Sequence, residues 1–310
     1  NRYWVGGSGS WSDASNHWAS TSGGSGAGGN LPTINDDVYF NAQSFDASGT
    51  ITLDISANCR NFDWTGLDSS VWFTSAVQSA YIYGDVSLNT NLLWRFSSTA
   101  YTYLMSDATT YIRSNSNNIS PGRVYKSGQG YCILADDYRA QNAGYSSYFY
   151  ITRGTFDTNG KIFTTNYIFG TGGSLYPQIL LRDSSLYINY LRFEGDVSFG
   201  CGTSNIYIPY YLWGYGKTFH NVYMTGSSYT YSLTGNNTFN NLTFSANNSA
   251  TFGVITSGNQ TINNLLTING NANDSRYRFL LASSTIGTKY SILANDISLS
   301  AVDFRDISVG

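Results

Sequence analysis

Three stretches of this chain repeat one another. They are Gly216-Lys217-Thr218-Phe219-His220-Asn221-Val222, Gly235-Asn236-Asn237-Thr238-Phe239-Asn240-Asn241-Leu242 and Gly258-Asn259-Gln260-Thr261-Ile262-Asn263-Asn264-Leu265. Thr218, Thr238 and Thr261 hold the same place in each, 20 and then 23 residues apart. A self-similar period of this length is the mark of a solenoid, whose single coil cannot bury its apolar face and must stack on its neighbours. A propeller blade would recur at about 40 residues. The repeat therefore predicts an elongated rod of coils.

Composition decides what the coils are made of. Aromatic residues reach 16% of the 310 residues, with 26 Tyr, 17 Phe and 7 Trp, while charged residues make up only 11%. Tyr, Phe, Trp and Thr suit a pleated, half-buried surface. Glu194 is the single glutamate, and no window carries a sustained 3.6-residue apolar period. A chain with helices spends Glu, Lys, Ala and Leu on them. The expected fold is all-β: a single-stranded parallel β-solenoid, right-handed, with β-sandwich or jelly-roll modules as the alternative. Short alternating runs such as Thr50–Ile55 and Tyr81-Ile82-Tyr83 are cut by Gly-Asp, Asn-Gly and Ser-Gly, the punctuation of short strands.

Two parts are expected, a capping module over residues 1–45 and a solenoid body over residues 46–310. In the first, Trp4, Trp11 and Trp18 recur every seven residues, but Gly6, Gly7 and Gly9 between them forbid a heptad helix. Bulky rings among glycines suit a lid on the open end of a β stack, where core and strand edges need cover. His17 is expected to stack between Trp11 and Trp18. Coils of about 22 residues make on the order of 12 turns, and a rod of roughly 55–60 Å. Ile, Leu, Val and Phe should point inward, and the repeated Asn pair should sit at a corner, its amide bonding the coil above. The weakly repeating, Tyr-rich section over residues 90–215 is expected to make longer excursions.

The opening motif, Tyr3-Trp4-Val5-Gly6-Gly7, Trp11-Ser12-Asp13, His17-Trp18, Pro32-Thr33 and Asp36-Asp37-Val38-Tyr39-Phe40, resembles the start of large bacterial surface β-solenoid proteins, which are adhesin-like. The same opening recurs in fibre and structural proteins of bacterial viruses. Asn58–Gly66, the Gly-Asn-x-Thr-Phe-Asn-Asn-Leu repeats and Val302–Ile307 fit the bodies of such proteins. The resemblance implies a protein displayed outside the cell or on a virion, and it brings no catalytic residue with it.

Several function classes lose support. The net charge is −3 and no basic run exists, so a phosphate-neutralising surface for nucleic acid is missing. Apolar runs fall far short of the roughly 20 residues that span a bilayer. Cys59, Cys132 and Cys201 are odd in number and form no CxxC pair; they read as buried small hydrophobes, with one disulfide plus a free thiol as the alternative. Neither His17 nor His220 stands in a metal-binding pattern, and His220 replaces an Asn of the repeat. The chain opens at Asn1 without an initiator Met or a signal peptide, which reads as processing or as a piece cut from something longer.

Two kinds of candidate site remain. Acids come first: Asp136-Asp137, Asp183 and the Glu194-Gly195-Asp196 triplet offer carboxylates for a polysaccharide-cleaving pair on a β-helix scaffold. Glu194 and Asp196, read on one side of a strand, also offer a structural calcium site, the one cofactor the sequence leaves open. Turn and edge roles are the plainer reading of these acids and of Asp36-Asp37. The aromatic runs come second. Tyr207, Tyr210, Tyr211, Trp213 and Tyr215 lie within nine residues, and Tyr145, Tyr148, Phe149 and Tyr150 form another cluster. Such rings suit sugar faces and protein contacts, or they stack as core ladders. The leading expectation is a non-enzymatic extracellular structural or adhesive β-solenoid that self-associates, or binds other surface or virion proteins or cell-surface polysaccharide, through its Tyr/Trp-rich faces. The rivals are a depolymerase-type enzyme and a lectin-like module.

Overall fold

The computed structural model describes residues 1–310 apart from 27–28, 116–120, 141–146, 174, 227–230, 247–252 and 271–277. Among the described residues, helix is limited to one turn, Ala14–His17. Parallel strands build everything else except one antiparallel contact in the cap. The chain coils as a β-solenoid with three faces. The first face stacks Val38–Asn41, Phe62–Gly66, Val86–Ser87, Thr110–Arg113, Tyr131–Leu134, Thr155–Asp157, Gln178–Leu180 and Ser198–Gly200. The second begins with Gly49–Thr52, Val71–Ser75 and Leu92–Phe96 and resumes at Tyr138–Arg139.

The third face is paired without a break from rung to rung. Its rungs are Ala57–Cys59, Ala80–Ile82, Tyr101–Leu104, Arg123–Lys126, Tyr148–Ile151, the second halves of Ile162–Thr171 and Ser185–Glu194, then Tyr211–Trp213, Tyr231–Thr234, Gly253–Ser257, Phe279–Ser283 and Val302–Arg305. Ile162–Thr171 and Ser185–Glu194 bend from the second face into the third without a break. Over residues 90–215 the described strands keep step with the coil, and residues 116–120 and 141–146, where longer excursions were expected too, lie outside the described residues.

Alternation sorts each strand into an inner and an outer row. On the third face Thr102, Val124, Phe149, Ile168, Leu191, Leu212 and Leu233 point inward and are buried. The repeat that opened the sequence is the same arithmetic at a corner. Thr218, Thr238 and Thr261 stand in register, one above another. Gly216, Gly235 and Gly258 hold positive φ at 85°, 91° and 145°, which disfavours side chains. A Cβ on Gly235 would sit 2.6 Å from Tyr215 Cα, so the rung below also excludes one.

The Asn pair lies where it was expected. Asn221 donates its amide to Asn205 at 2.9 Å, Asn241 to Asn221 at 2.8 Å and Asn264 to Asn241 at 2.8 Å. Four rungs are thus tied by one amide ladder beside His220. Like-on-like stacking lets each amide donate to the rung below and accept from the rung above.

The lid is built from the three tryptophans, all fully buried. Trp18 meets Trp4 and Trp11 edge to face at 5.1 and 4.7 Å, and Trp11 also approaches Phe73 at 6.1 Å. The indole N–H groups of Trp4 and Trp18 donate to Gly7 O and Trp11 O. His17 does not stack between Trp11 and Trp18; it lies flat on Trp4, centroids 4.6 Å apart at 2°, held by an Nδ1 contact of 2.8 Å to Val5 O. The turn Ala14–His17, capped by the Asp13 carboxylate, swings the ring to that side. Trp18–Ala19 then closes the edge by pairing antiparallel with Arg2–Trp4. At the opposite end Ile297, Leu299 and Phe304 continue inward rows but stand exposed, since no described rung lies above them.

Cys59 and Cys132 are buried, Cys201 is partly buried, and all three are free thiols. One inner row holds a surprise. In the succession Cys59, Ile82, Leu104, Lys126, Ile151, Lys126 fills an aliphatic place and is buried. Its ammonium donates to the carbonyls of Gly128 and Arg153. Burial pushes it down to about 8 from 10.5.

Two predictions follow from these rows. Asn241→Ala removes one amide donor and leaves Asn264 Nδ2 and Leu265 N to water, so it should destabilise the fold by about 0.5–1.5 kcal/mol, read as a lowered urea midpoint. For Lys126 the unfolded chain keeps a proton that the folded chain has released between pH 8 and 10.5. Stability should therefore be flat below pH 8 and rise above it, by up to about 1.4 kcal/mol for each pH unit. A Lys126→Met variant should lose that rise in denaturation curves taken between pH 7 and 10.

Candidate functional site: an aromatic face

The outer row of the third face is aromatic over most of its length. One column runs Tyr81, Tyr103, Tyr125, Tyr150, Phe169, Arg192, Trp213, each in register with the next. Beside it, two residues away along each strand, run Tyr101, Arg123, Tyr148, Tyr167, Tyr190 and Tyr211. The sequence signal is an aromatic-x-aromatic pair repeated at the coil spacing: Tyr101-x-Tyr103, Tyr148-x-Tyr150, Tyr167-x-Phe169 and Tyr211-x-Trp213. Strand alternation sends both members outward, and the residue between them goes to the core.

The rings stack face to face. Centroid distances are 4.8 Å for Tyr81–Tyr103, 4.4 Å for Tyr125–Tyr150, 4.2 Å for Tyr148–Tyr167 and 4.1 Å for Tyr167–Tyr190, with planes within 10° of each other. Such pairs are worth about 0.5–1.5 kcal/mol beyond their area. The rung spacing of about 4.8 Å imposes the separation. From Tyr81 to Trp213 the column covers roughly 29 Å.

Two arginines take ring positions in the columns. Arg123 lies over Tyr101 and Tyr148, at 5.8 and 5.1 Å. Arg192 lies 4.4 Å over Trp213 and pairs with Glu194. A guanidinium is flat and weakly hydrated, so it replaces a ring in a stack. Around Arg192 the columns part into a cleft of about 400 Å³, lined by Tyr167, Phe169, Tyr190, Leu191, Arg192, Tyr211 and Trp213. The Trp213 indole N–H reaches Ser232 Oγ at 3.4 Å, which fixes that ring as the cleft's end wall.

Three phenols of the face keep their protons to higher pH. Burial, helped by the neighbouring Tyr125 ring, pushes the Tyr150 phenol up to about 12. Burial raises Tyr103 as well, and burial and the bond to Tyr190 raise Tyr167.

The aromatic run proposed from sequence is divided by the fold. Tyr211 and Trp213 line the cleft, Tyr210 stacks on Tyr190 at 5.5 Å, and Tyr148 belongs to the second column. Tyr207 sits on the second face, stacked with Tyr187 and Tyr223. Tyr215 stands apart in a turn at φ 48°. Tyr145 lies outside the described residues. Trp4, Trp11 and Trp18 are committed to the lid. Sequence reasoning missed Tyr81, Tyr101, Tyr103, Tyr125, Tyr167, Tyr190 and Arg192 because it looked for clusters along the chain and not across coils.

The acids occupy two different corners. Asp136, Asp137 and Asp183 lie between the first and second faces, and Glu194 and Asp196 between the third and first. Asp136 accepts from the Ser114 and Asn115 backbone N–H groups at 2.7 Å each; Asp137 accepts from Ile162 N at 2.9 Å and pairs with Arg139. Asp37 is held bidentately by Arg60, and Asp36 caps the turn at Thr33. Glu194 and Asp196 do not share a strand face, because the strand ends at Glu194 and Gly195 turns the chain at φ 65°. The aromatic cleft is lined by no free carboxylate. Among the described residues no three His, Cys, Asp or Glu side chains gather to hold a metal ion, and no helix is long and apolar enough to cross a membrane.

The shifted phenols make a pH prediction. Below pH 10 the Tyr150 phenol is neutral in both folded and unfolded chains; between 10 and about 12 only the unfolded chain ionises, so stability falls across that window. Spectrophotometric titration should show early-ionising tyrosines and a late group that ionises only as the fold melts.

No family model, no curated protein and no solved structure matches this chain.

Proposed function

We propose that this chain is a non-enzymatic extracellular rod of a bacterial cell surface or virion, which adheres by binding polysaccharide along its aromatic face. One observation carries the reading: two in-register columns of half-buried rings and stacked guanidiniums, the longer covering roughly 29 Å, with a cleft at Tyr190, Arg192 and Trp213. Flat, rigid rings with polar edges match the C–H faces and hydroxyl rims of sugars, and their ordering costs little entropy. A line of half-buried rings this long leaves apolar surface for a ligand to cover. The low charge and the resemblance of the opening motif to surface and fibre proteins support the same setting. The acids favour no cleavage chemistry: Asp136 is held by backbone N–H groups, Asp137 and Glu194 by arginines, and Asp183 lies at a different corner from Asp196.

Affinity electrophoresis through gels cast with bacterial surface polysaccharides tests this. At least one polysaccharide should retard the protein, and Trp213→Ala and Tyr190→Ala should each weaken retention about tenfold, some 1.4 kcal/mol, without shortening the polymer. Retardation of the parent by none, or retardation of both variants as strong as the parent's, would remove the reading. Chain shortening abolished by Asp136→Asn or Glu194→Gln would replace it with the enzyme.

A further inference from the structure

A second concave surface lies on another side of the rod. It is a groove of about 440 Å³ where the second face turns toward the third, across the rungs that hold Thr164, Tyr187, Tyr207 and Thr225. That volume lies within the range of small-molecule sites. Its chemistry differs from that of the aromatic cleft.

Tyr187 and Tyr207 stack with centroids 4.8 Å apart and planes at 6°, and Tyr223 continues the stack at 4.8 Å. Tyr187 is 45% exposed, a large open ring surface for one side of a ligand. Beside it stand two corner amides. Asn189 Nδ2 donates to Asn166 Oδ1 at 3.1 Å. This bond fixes both side chains and leaves Asn189 Oδ1 as a free acceptor and Asn166 Nδ2 as a free donor among the described residues. The corner is rigid: the Thr165 hydroxyl donates to Ser147 O, and the Asn166 backbone N–H donates to Ser147 Oγ at 3.0 Å. Among the described residues no Lys, Arg, Asp or Glu lines the groove.

We infer that this groove is a separate binding site for a neutral, hydroxyl-rich ring, that is, an uncharged mono- or disaccharide. The open ring of Tyr187 takes the apolar face of the sugar. The oriented amide pair takes adjacent hydroxyls, one as donor and one as acceptor. The absence of charged lining disfavours acidic sugars and nucleotides, whose charge would be desolvated without a partner. The inference does not need the aromatic face to bind anything, and the two can fail separately.

The test is saturation-transfer NMR of the whole chain with a panel of neutral hexoses, N-acetylhexosamines and their disaccharides at millimolar concentration. At least one should receive saturation, and the signal should fall at least fivefold in Tyr187→Ala and in Asn189→Ala. It should survive in Tyr187→Phe, which keeps the ring, and in Trp213→Ala, which touches only the other site. Melting temperatures within a few degrees of the parent would show that the variants fold. No saturation anywhere in the panel, or a signal undiminished in Tyr187→Ala and Asn189→Ala, overturns the assignment. A signal lost only in Trp213→Ala also overturns it, by assigning the sugar to the aromatic cleft.

Discussion

Register between stacked rungs is the constraint on which this molecule rests. Each parallel strand fixes its neighbour at about 4.8 Å, and a slip of one residue would exchange inner and outer rows. The inner rows of Leu, Ile, Val and Phe bury their area only while every rung keeps step. The corners enforce that step from outside the core. Glycines at positive φ set the turn, and the amide ladder through Asn205, Asn221, Asn241 and Asn264 ties four rungs at one height.

The same register turns single surface residues into lines. A tyrosine that would be unremarkable on one strand becomes, when each coil repeats it, a stacked column with the ring spacing of an aromatic pair. The rows tolerate substitutes that preserve shape: Arg123 and Arg192 as flat cations outside, Lys126 as a long stem inside. Lys126 is the costly member, because its head must find carbonyls where its neighbours need none.

Surface chemistry is unequally divided among faces and corners. Carboxylates hold corners, where they satisfy the backbone N–H groups that a turning chain leaves without strand partners. Rings and amides hold the faces and the corner between the second and third faces. Groups placed this way favour contact over proton transfer, since among the described residues no carboxylate lines either cleft.

The sequence by itself determined the class of fold. Lone Glu194, the strand-forming composition and the 20-to-23-residue repeat leave little besides a β-solenoid, and the Gly and Asn of the repeat already mark its corners. The lid was legible too, because three tryptophans among glycines have nowhere stable to go except onto an open core. Tertiary structure alone decided the sites. Coil length varies from turn to turn, so residues adjacent in space sit at uneven distances in the chain, and no fixed period aligns Tyr101 with Tyr148 and Tyr211. A bend between strands decided that Tyr207 and Trp213, six residues apart, serve different faces. Local sequence carries propensity and alternation; which alternating positions meet across coils is settled only when the rungs stack.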